Sequence, residues 1–298
     1  MSAVRQQLRR HVPAALRMRL NPPPAWTVRC SEVASPFELG AAPTTPVLDE
    51  ADLERHGLTL VADPFALRVD GCWYLFVEAL ERGQRAAGIA LLTSRDRVCW
   101  DYHGLILREP FHLSYPFVFA ADGAYWLIPE SYVTGEVRLY RATDFPTRWT
   151  HEANLLTGAP FKDASPFRHG GHWWLLVETS QHQHDQLRLF RAHDFRGPWT
   201  EHPASPVVSA DAVFARPAGR PFVDQGRLYR LAQDCGARYG RGVHAVEIVE
   251  LTPTVYRERR VEPAVVSATG TGWNAAAAHH VDAHRVDGSW ICFLDGHR

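Results

Sequence analysis

The sequence predicts an all-β fold: a five-bladed β-propeller of four-stranded antiparallel blades, with the last blade completed by N-terminal strands. Three observations carry that reading. A turn glycine recurs at Gly71, Gly123, Gly171, Gly226 and Gly288, at intervals of 52, 48, 55 and 62 residues, a period that suits propeller blades better than helical solenoid repeats. Each glycine is followed by an apolar, aromatic-rich run: Cys72–Phe76, Ala124–Ile128, His172–Val177, Arg227–Leu231 and Ser289–Leu294. Each of the first four is preceded by a Pro-Phe pair: Pro64-Phe65, Pro116-Phe117, Pro166-Phe167 and Pro221-Phe222.

Taken in order, the chain opens with Arg5, Arg9, Arg10, Arg17 and Arg19 and no apolar core of signal-peptide length, so residues 1–24 read as a basic segment, helical over 3–20 or poorly ordered. Asn21-Pro22-Pro23-Pro24 ends any such helix. Residues 25–298 read as one propeller domain, beginning with strand-like pieces around Trp26-Val28 and Pro46-Leu48. The first hairpin is Val61–Glu78, two runs joined at Asp70-Gly71. A third strand follows in each blade, clearest in Val137–Ala142 and Leu187–Ala192. A fourth carries Trp100, Trp149 or Trp199, with Tyr256 taking that place in the fourth repeat. The fifth repeat stops after its second strand, at Asp295, which leaves an open edge. The strand pieces within 25–50 are the expected donors that close it.

Composition sets the outer limits. Hydrophobic residues are 46% of the 298 and aromatics 11%, which is globular. Thirty-two basic residues against 33 acidic ones give a formal net charge of −1, which offers no global field for nucleic acid or an anionic membrane. No apolar run approaches the length of a membrane span. Lys162 is the only lysine. Five cysteines without CxxC spacing read as reduced core thiols, and the expected location is cytoplasmic.

Residues equidistant from a hairpin turn face one another. Eight before each glycine stand Asp63, Tyr115, Asp163, Ala218 and His280; seven after stand Glu78, Glu130, Glu178, Gln233 and Asp295. First strands line a propeller's axis, so these open ends converge on one mouth of the channel, with Arg220, Asp234 and His279 nearby. Crowded carboxylates raise one another's proton affinity, and they suit acid–base catalysis, metal binding or recognition of sugar hydroxyls. Glu78, Glu130 and Glu178 recur with the repeat and can equally close the blades. Asp63 and Asp163 break the repeat and point to function. His280, Asp282 and His284 alternate, so an axial metal or ion at His280 and Asp282 is open, beside the plainer reading of a channel wall; no other cofactor is expected. His182 and His184 read as a solvated loop over the mouth. Gly270-Thr271-Gly272 lacks the setting of a dinucleotide site, and no HExxH, GxSxG or P-loop occurs.

Several stretches resemble the N-terminal domain of the glucosamine inositolphosphorylceramide transferase family. They are Val61–Phe65, His112–Pro116, Pro129–Ser131, Lys162–Ser165, Gly219–Phe222, Gln233–Gly236, Tyr239–Arg241 and His279–Asp282, and the resemblance runs from about residue 35 to the C-terminus. In that family sugar transfer belongs to a separate C-terminal domain for which these residues leave no room, so the resemblance does not imply transfer here. The N-terminal domain is in turn similar to five-bladed family 43-type glycoside hydrolases. That similarity implies an Asp base opening the first blade, an Asp opening the third that tunes proton affinity, and a Glu acid opening the fourth. Asp63 and Asp163 match the first two. The fourth blade opens Arg216-Pro217-Ala218-Gly219-Arg220-Pro221, with no carboxylate, so the proton donor is open between Glu130, Glu178 and Asp234.

The expectation is an enzyme acting on a sugar or polar metabolite, with Asp63, Asp163, Glu130 and Glu178 catalytic. Glu78, Tyr115, Arg220, Asp234, His279, His280 and Asp295 are expected to bind substrate. The chemistry is hydrolase-like, or an elimination or cyclisation using the same carboxylates. The alternative is a non-catalytic glycan-binding or scaffolding propeller, with a protein-interaction propeller behind it. The oligomeric state is left open.

Overall fold

The computed structural model describes residues 26–298; the basic N-terminal segment and its expected helix lie outside them. Five antiparallel sheets follow one another around an axis. Blade 1 comprises β3 (Leu58–Val69), β4 (Cys72–Glu81), β5 (Gly88–Ser94) and β6 (Asp101–Leu107). Blade 2 comprises β7 (Ser114–Ala121), β8 (Ala124–Glu130), β9 (Glu136–Asp144) and β10 (Arg148–Thr157). Blade 3 comprises β11 (Lys162–His169), β12 (His172–Glu178), β13 (Leu187–Ala192) and the short β14 (Thr200–Glu201). In blade 4 the inner strand is split into β15 (Arg216–Pro217) and β16 (Phe222–Asp224), followed by β17 (Arg227–Gln233), β18 (Gly242–Leu251) and β19 (Tyr256–Ser267). Blade 5 joins β20 (Val281–Val286) and β21 (Ser289–His297) to β1 (Trp26–Val33) and β2 (Thr45–Leu48), in the order β2-β1-β21-β20. The N-terminal strands thus close the ring, and Trp26 to Val33 pair residue for residue with His297 to Trp290.

The inner hairpins turn as their sequence demands. Asp70 and Gly71 have φ of 49° and 75°, and the pairs Asp122-Gly123, Gly170-Gly171, Gln225-Gly226 and Asp287-Gly288 are likewise positive, the geometry of two-residue turns that match strand twist. The four Pro-Phe rings, Phe65, Phe117, Phe167 and Phe222, are all buried at the blade interfaces. Each contributes about 1.5–3 kcal/mol of burial. The outer-strand tryptophans lean across to the neighbouring blade: Trp149 meets Phe76 edge-on at 5.7 Å, and Trp100 meets Phe293 at 5.9 Å.

The register at the open ends differs from simple equidistance in blades 1 to 3. A bulge lies between Ala62 and Phe65, between Ser114 and Phe117, and between Lys162 and Ser165. The recurring glutamates therefore pair with the residue before the expected one: Glu78 with Ala62, Glu130 with Ser114 and Glu178 with Lys162. The extra residue, Asp63, Tyr115 or Asp163, is left at φ of 52°, 44° or 53°. For a residue with a Cβ this conformation costs about 1–2 kcal/mol, and the hub offsets it with hydrogen bonds. Asp63 N donates to Asp295 Oδ2 (3.0 Å) and Tyr115 N to Asp63 Oδ2 (3.1 Å), linking blades 5, 1 and 2. The Tyr115 hydroxyl, 2.8 Å from Ser165 Oγ, accepts from Gly219 N at 2.7 Å and so ties in blades 3 and 4.

Candidate functional site

The bulged ends open onto a cavity of about 430 Å³. Asp63, Glu78 and Glu130 line it from blades 1 and 2, Arg216 from blade 4 and His279 from the segment entering blade 5. Trp26, Tyr132 and Tyr239 supply aromatic walls, and Arg85 and His112 stand at its side. The Trp26 and His279 rings stack at 4.0 Å with 23° between planes, and Tyr239 meets His279 edge-on at 5.4 Å.

Charge is arranged in pairs around the wall. Arg216 Nε donates to Asp163 Oδ2 at 2.5 Å, and its Nη2 reaches Glu130 Oε2 at 3.4 Å. Burial would raise Asp163, yet the guanidinium, with hydrogen bonds from Glu130 and Arg216, holds its carboxyl below the ordinary range. Glu130 moves the other way. Burial and the Asp163 charge push it well above the ordinary range against the pull of Arg216, and it shares a hydrogen bond with Asp163. The two carboxyls are thus pushed apart in proton affinity, Glu130 the higher and Asp163 the lower, and they titrate as a pair.

His279 donates from Nδ1 to Asp295, at 2.8 Å from Oδ2. Burial opposes its charge, but Asp295 and Asp63 push it up to about 9, so it is an imidazolium at neutral pH. Asp63 lies 3.8 Å from His279 Nδ1 through Oδ1. Burial holds the Asp63 carboxyl well above the ordinary range; His279 opposes this, and Glu78, Asp295 and Asp163 reinforce it. Glu78 pairs with His112 at 3.2 Å.

Of the residues singled out in the sequence, Asp63, Glu78, Glu130 and His279 line the cavity, and Asp163 and Asp295 sit immediately behind Arg216 and His279. The other five stand elsewhere. Glu178 is fully buried on Lys162 (2.9 Å) and accepts from Ser180 N at 2.6 Å, so its charge anchors a loop. Asp234 is buried on Arg241 Nε (2.8 Å) and Gly236 N (3.0 Å). Tyr115 is the hub bridge described above. Arg220 donates to Asp282 Oδ1 at 3.0 Å and to Val118 O at 2.8 Å, with Phe117 beneath its guanidinium at 4.6 Å. The arginine that bridges the carboxyls of the site is Arg216, four residues earlier. His280 is fully buried behind Asp63.

The pairing of His280 with Asp282 for an axial ion is not formed. Asp282 is committed to Arg220, to His284 Nε2 (2.7 Å) and to Ala66 N (2.7 Å), while His280 Nε2 donates to Pro64 O at 3.0 Å. Among the described residues, Asp63, His279 and Asp295 offer one ligand atom each within 4.8 Å of one another. Within that cluster His279 Nδ1 lies 2.8 Å from Asp295 Oδ2, an ion pair when the ring carries both protons. His184 was expected to be solvated; its Nδ1 instead accepts from Arg216 Nη1 at 3.2 Å. Burial and the charges of Arg216 and Lys162 lower it to about 4, which keeps it a neutral acceptor.

Arg216, Trp26, Tyr132, Tyr239, His112 and Arg85 are not among the expected site residues, although His112 and Tyr239 begin two of the stretches that carry the family resemblance. Trp26 and Tyr239 come from outside the inner hairpins, and Arg216 sits in the one blade whose inner strand is broken. The absence of a carboxylate at the start of that blade was the available signal for Arg216.

The comparisons with known proteins agree with this architecture. The family description "Glucosamine inositolphosphorylceramide transferase 1, N-terminal" matches residues 32–297. Glucosamine inositolphosphorylceramide transferase 1 of Oryza sativa subsp. japonica is 36% identical over 264 residues, 85% of this chain and 35% of the relative. The protein of that name in Arabidopsis thaliana is 34% identical over 276 residues, 88% of this chain and 36% of its own. The chain therefore spans about a third of the length of these curated relatives. Among solved structures, the catalytic domain of Coprinopsis cinerea GH62 α-L-arabinofuranosidase is similar with a TM-score of 0.60 at 14% identity, covering 91% of this chain and 97% of that one. A family 117 glycoside hydrolase from Zobellia galactanivorans gives 0.58 at 15% identity, covering 91% and 90%. At such identities these structures share the fold. The sequence match, extending from the second half of β1 to the last strand, shows that the chain belongs to the family described as glucosamine inositolphosphorylceramide transferase 1, N-terminal.

Proposed function

We propose that the cavity takes a sugar or sugar-like polyol and performs acid–base chemistry on it. Glu130 is the proton donor, Asp163 the ionised neighbour that keeps the proton on Glu130, and Asp63 the proton acceptor. The observation that carries this reading is the opposed proton affinity of Glu130 and Asp163 around a single guanidinium, since paired carboxyls pushed apart by their surroundings divide acid and base roles. The stacked Trp26 and His279 rings support a sugar, which presents an apolar face to aromatics and hydroxyls to carboxylates. The relatives' names, which contain glucosamine and inositolphosphorylceramide, support a glycan-related ligand.

Substrate hydroxyl or water loses its proton to Asp63 while Glu130 protonates the departing oxygen, and Arg216 holds Asp163 charged throughout. The same two groups serve an elimination or a cyclisation in which no water enters. Turnover of a panel of aryl glycosides and free oligosaccharides by Asp63→Asn and Glu130→Gln tests the reading. Asparagine tolerates the left-handed backbone of position 63, so the fold is retained. The expected result is a fall of at least about a hundredfold in both variants, within the range general acid–base groups supply. Unchanged turnover in either one removes its role. The second reading, a glycan-binding propeller, draws on Arg216 standing in the blade where the resemblance places the acid. It predicts tight saccharide binding with no product on prolonged incubation.

A further inference from the structure

His280 carries a buried nitrogen that the roles above leave unused. Its Nε2 faces the carbonyl of Pro64 at 3.0 Å. A carbonyl only accepts, so Nε2 holds the hydrogen and Nδ1 presents a lone pair. That Nδ1 has no hydrogen-bond partner among the described residues, in a side chain with no solvent exposure. An orphaned polar atom at such depth costs about 1–3 kcal/mol, a cost that proteins tolerate at functional positions. It points toward Asp63, with Oδ1 at 3.9 Å. The other Asp63 oxygen, Oδ2, is already fixed by the Tyr115 N–H, so a proton on Asp63 resides on Oδ1, the oxygen that faces His280.

Resting on the acid–base reading, we propose that His280 is the inner proton partner of Asp63, a positioning residue whose Nδ1 lone pair receives the proton carried by Asp63 Oδ1. The Oδ1–H bond breaks as the Nδ1–H bond forms. The bonding pair stays on oxygen, the nitrogen lone pair takes the proton, and the product is a carboxylate beside an imidazolium. The reverse step restores the starting pair, and no other reactant enters. A separation of 3.9 Å exceeds a hydrogen bond, and a swing of the carboxyl by about 1 Å closes it; catalytic contacts tighten in this way when substrate binds.

The surroundings suit a partner that is neutral at rest. The rings of Phe65 (4.6 Å) and Tyr115 (5.3 Å) pack edge-on against His280, and burial lowers it to about 4. Asp295, which accepts its backbone N–H at 3.1 Å, and Asp282 and Asp163 favour the charged form, while His279 opposes it. The imidazolium is thus a short-lived form, and the proton returns to Asp63.

Nitrogen-15 NMR of the histidine-labelled full chain tests this directly, without any need for turnover. The expected result is the Nε2–H tautomer of His280, with an Nδ1 resonance that shifts over the pH interval in which Asp63 titrates. That shift should vanish in Asp63→Asn. An Nδ1 that carries the hydrogen, or that ignores Asp63, overturns the proposal. In His280→Gln, which keeps a donor for Pro64 O, the acid limb of the pH–rate profile should move about one pH unit lower with KM changed less than twofold. A purely structural His280 would lower stability and leave that limb in place, which counts against the proposal. If the unaltered protein turns over no saccharide, the acid–base reading fails while the NMR coupling still decides the role of His280.

Discussion

Arg216 and Asp163 form the buried ion pair on which the electrostatics of the site turn: Nε lies 2.5 Å from Oδ2, and neither side chain is more than 9% exposed. The pair joins blade 4 to blade 3, and the second contact of the guanidinium, to Glu130, extends the bridge to blade 2. Without the cation, the two carboxyls would face one another unpaired in a buried space.

Arg216→Met should therefore destabilise the fold by about 3–5 kcal/mol at neutral pH, the usual cost of removing one partner of a buried pair. Asp163 is depressed in the intact protein and contributes stability above the unfolded carboxylate range, which is lost as pH falls through its folded value. In the variant its proton affinity rises, so the deficit should shrink between pH 7 and pH 5. Urea unfolding at both values measures it, and a deficit that stays constant with pH would refute this account.

Lys162, the chain's only lysine, makes a second buried pair with Glu178 and also reaches the carbonyls of Ser180 and Gln181. It pins the loop that carries His184 onto Arg216. Lys162→Met should cost about 3–5 kcal/mol and expose residues 180–185 to protease. Lys162→Met combined with Glu178→Leu should recover most of that stability, because apolar replacements of a whole buried pair are often neutral. A double variant as unstable as the single one would show that the loop, and not the stranded charge, is what matters.

These two pairs also mark how far the sequence could be read. The blades were legible because turn glycines, Pro-Phe pairs and alternating strands are local signals that repeat. The bulges were not, since one inserted residue leaves the hydrophobic alternation on either side intact; the register at Asp63, Tyr115 and Asp163 shifted for that reason. Glu130 and Glu178 occupy the same repeat position and look alike in one dimension. Their opposite partners, Ser114 and Lys162, separate them, and that difference was present in the sequence once the register was known. Arg216 and Arg220 differ only in which side of the break at Gly219 they stand on, a matter of backbone path that composition does not encode. Counting from the turn glycines put Asp63 and Asp163 at one end of the ring but one residue out of register, and the open edge after Asp295 pointed to the N-terminal strands that close blade 5.

His279 sets a pH window. Its value in the fold, about 9, lies above the ordinary 6.5, so its pairing with Asp295 stabilises the protein fully below about pH 6.5 and fades as pH rises through about 9. The difference corresponds to about 3 kcal/mol. Asp295 is depressed, so its share persists above the usual carboxylate range and is lost only in acid. The stability difference between the intact protein and His279→Gln should therefore be largest near pH 6 and narrow towards pH 10. Urea midpoints across that range check it, and a difference that widens with pH would reverse the sign of the argument.

Gly219 tests the hub itself. Its φ is +139°, and a Cβ built there falls 1.8 Å from the carbonyl oxygen of Val281, backbone that cannot swing aside. Its N–H donates to the Tyr115 hydroxyl, and in the same crossing Val281 N donates to Ala218 O at 2.9 Å, so blades 2, 4 and 5 meet at this point. Gly219→Ala must push blade 4 away from β20 and break both contacts. Gly71→Ala is the control: φ there is +75° with nothing within 4 Å of the added carbon, so only the backbone cost of about 1–2 kcal/mol applies. Gly219→Ala should exceed about 4 kcal/mol in denaturant unfolding, the range reserved for named structural clashes, or fail to yield folded protein. A loss within about 1 kcal/mol of Gly71→Ala would mean that the close approach of the two blades does not hold the ring together.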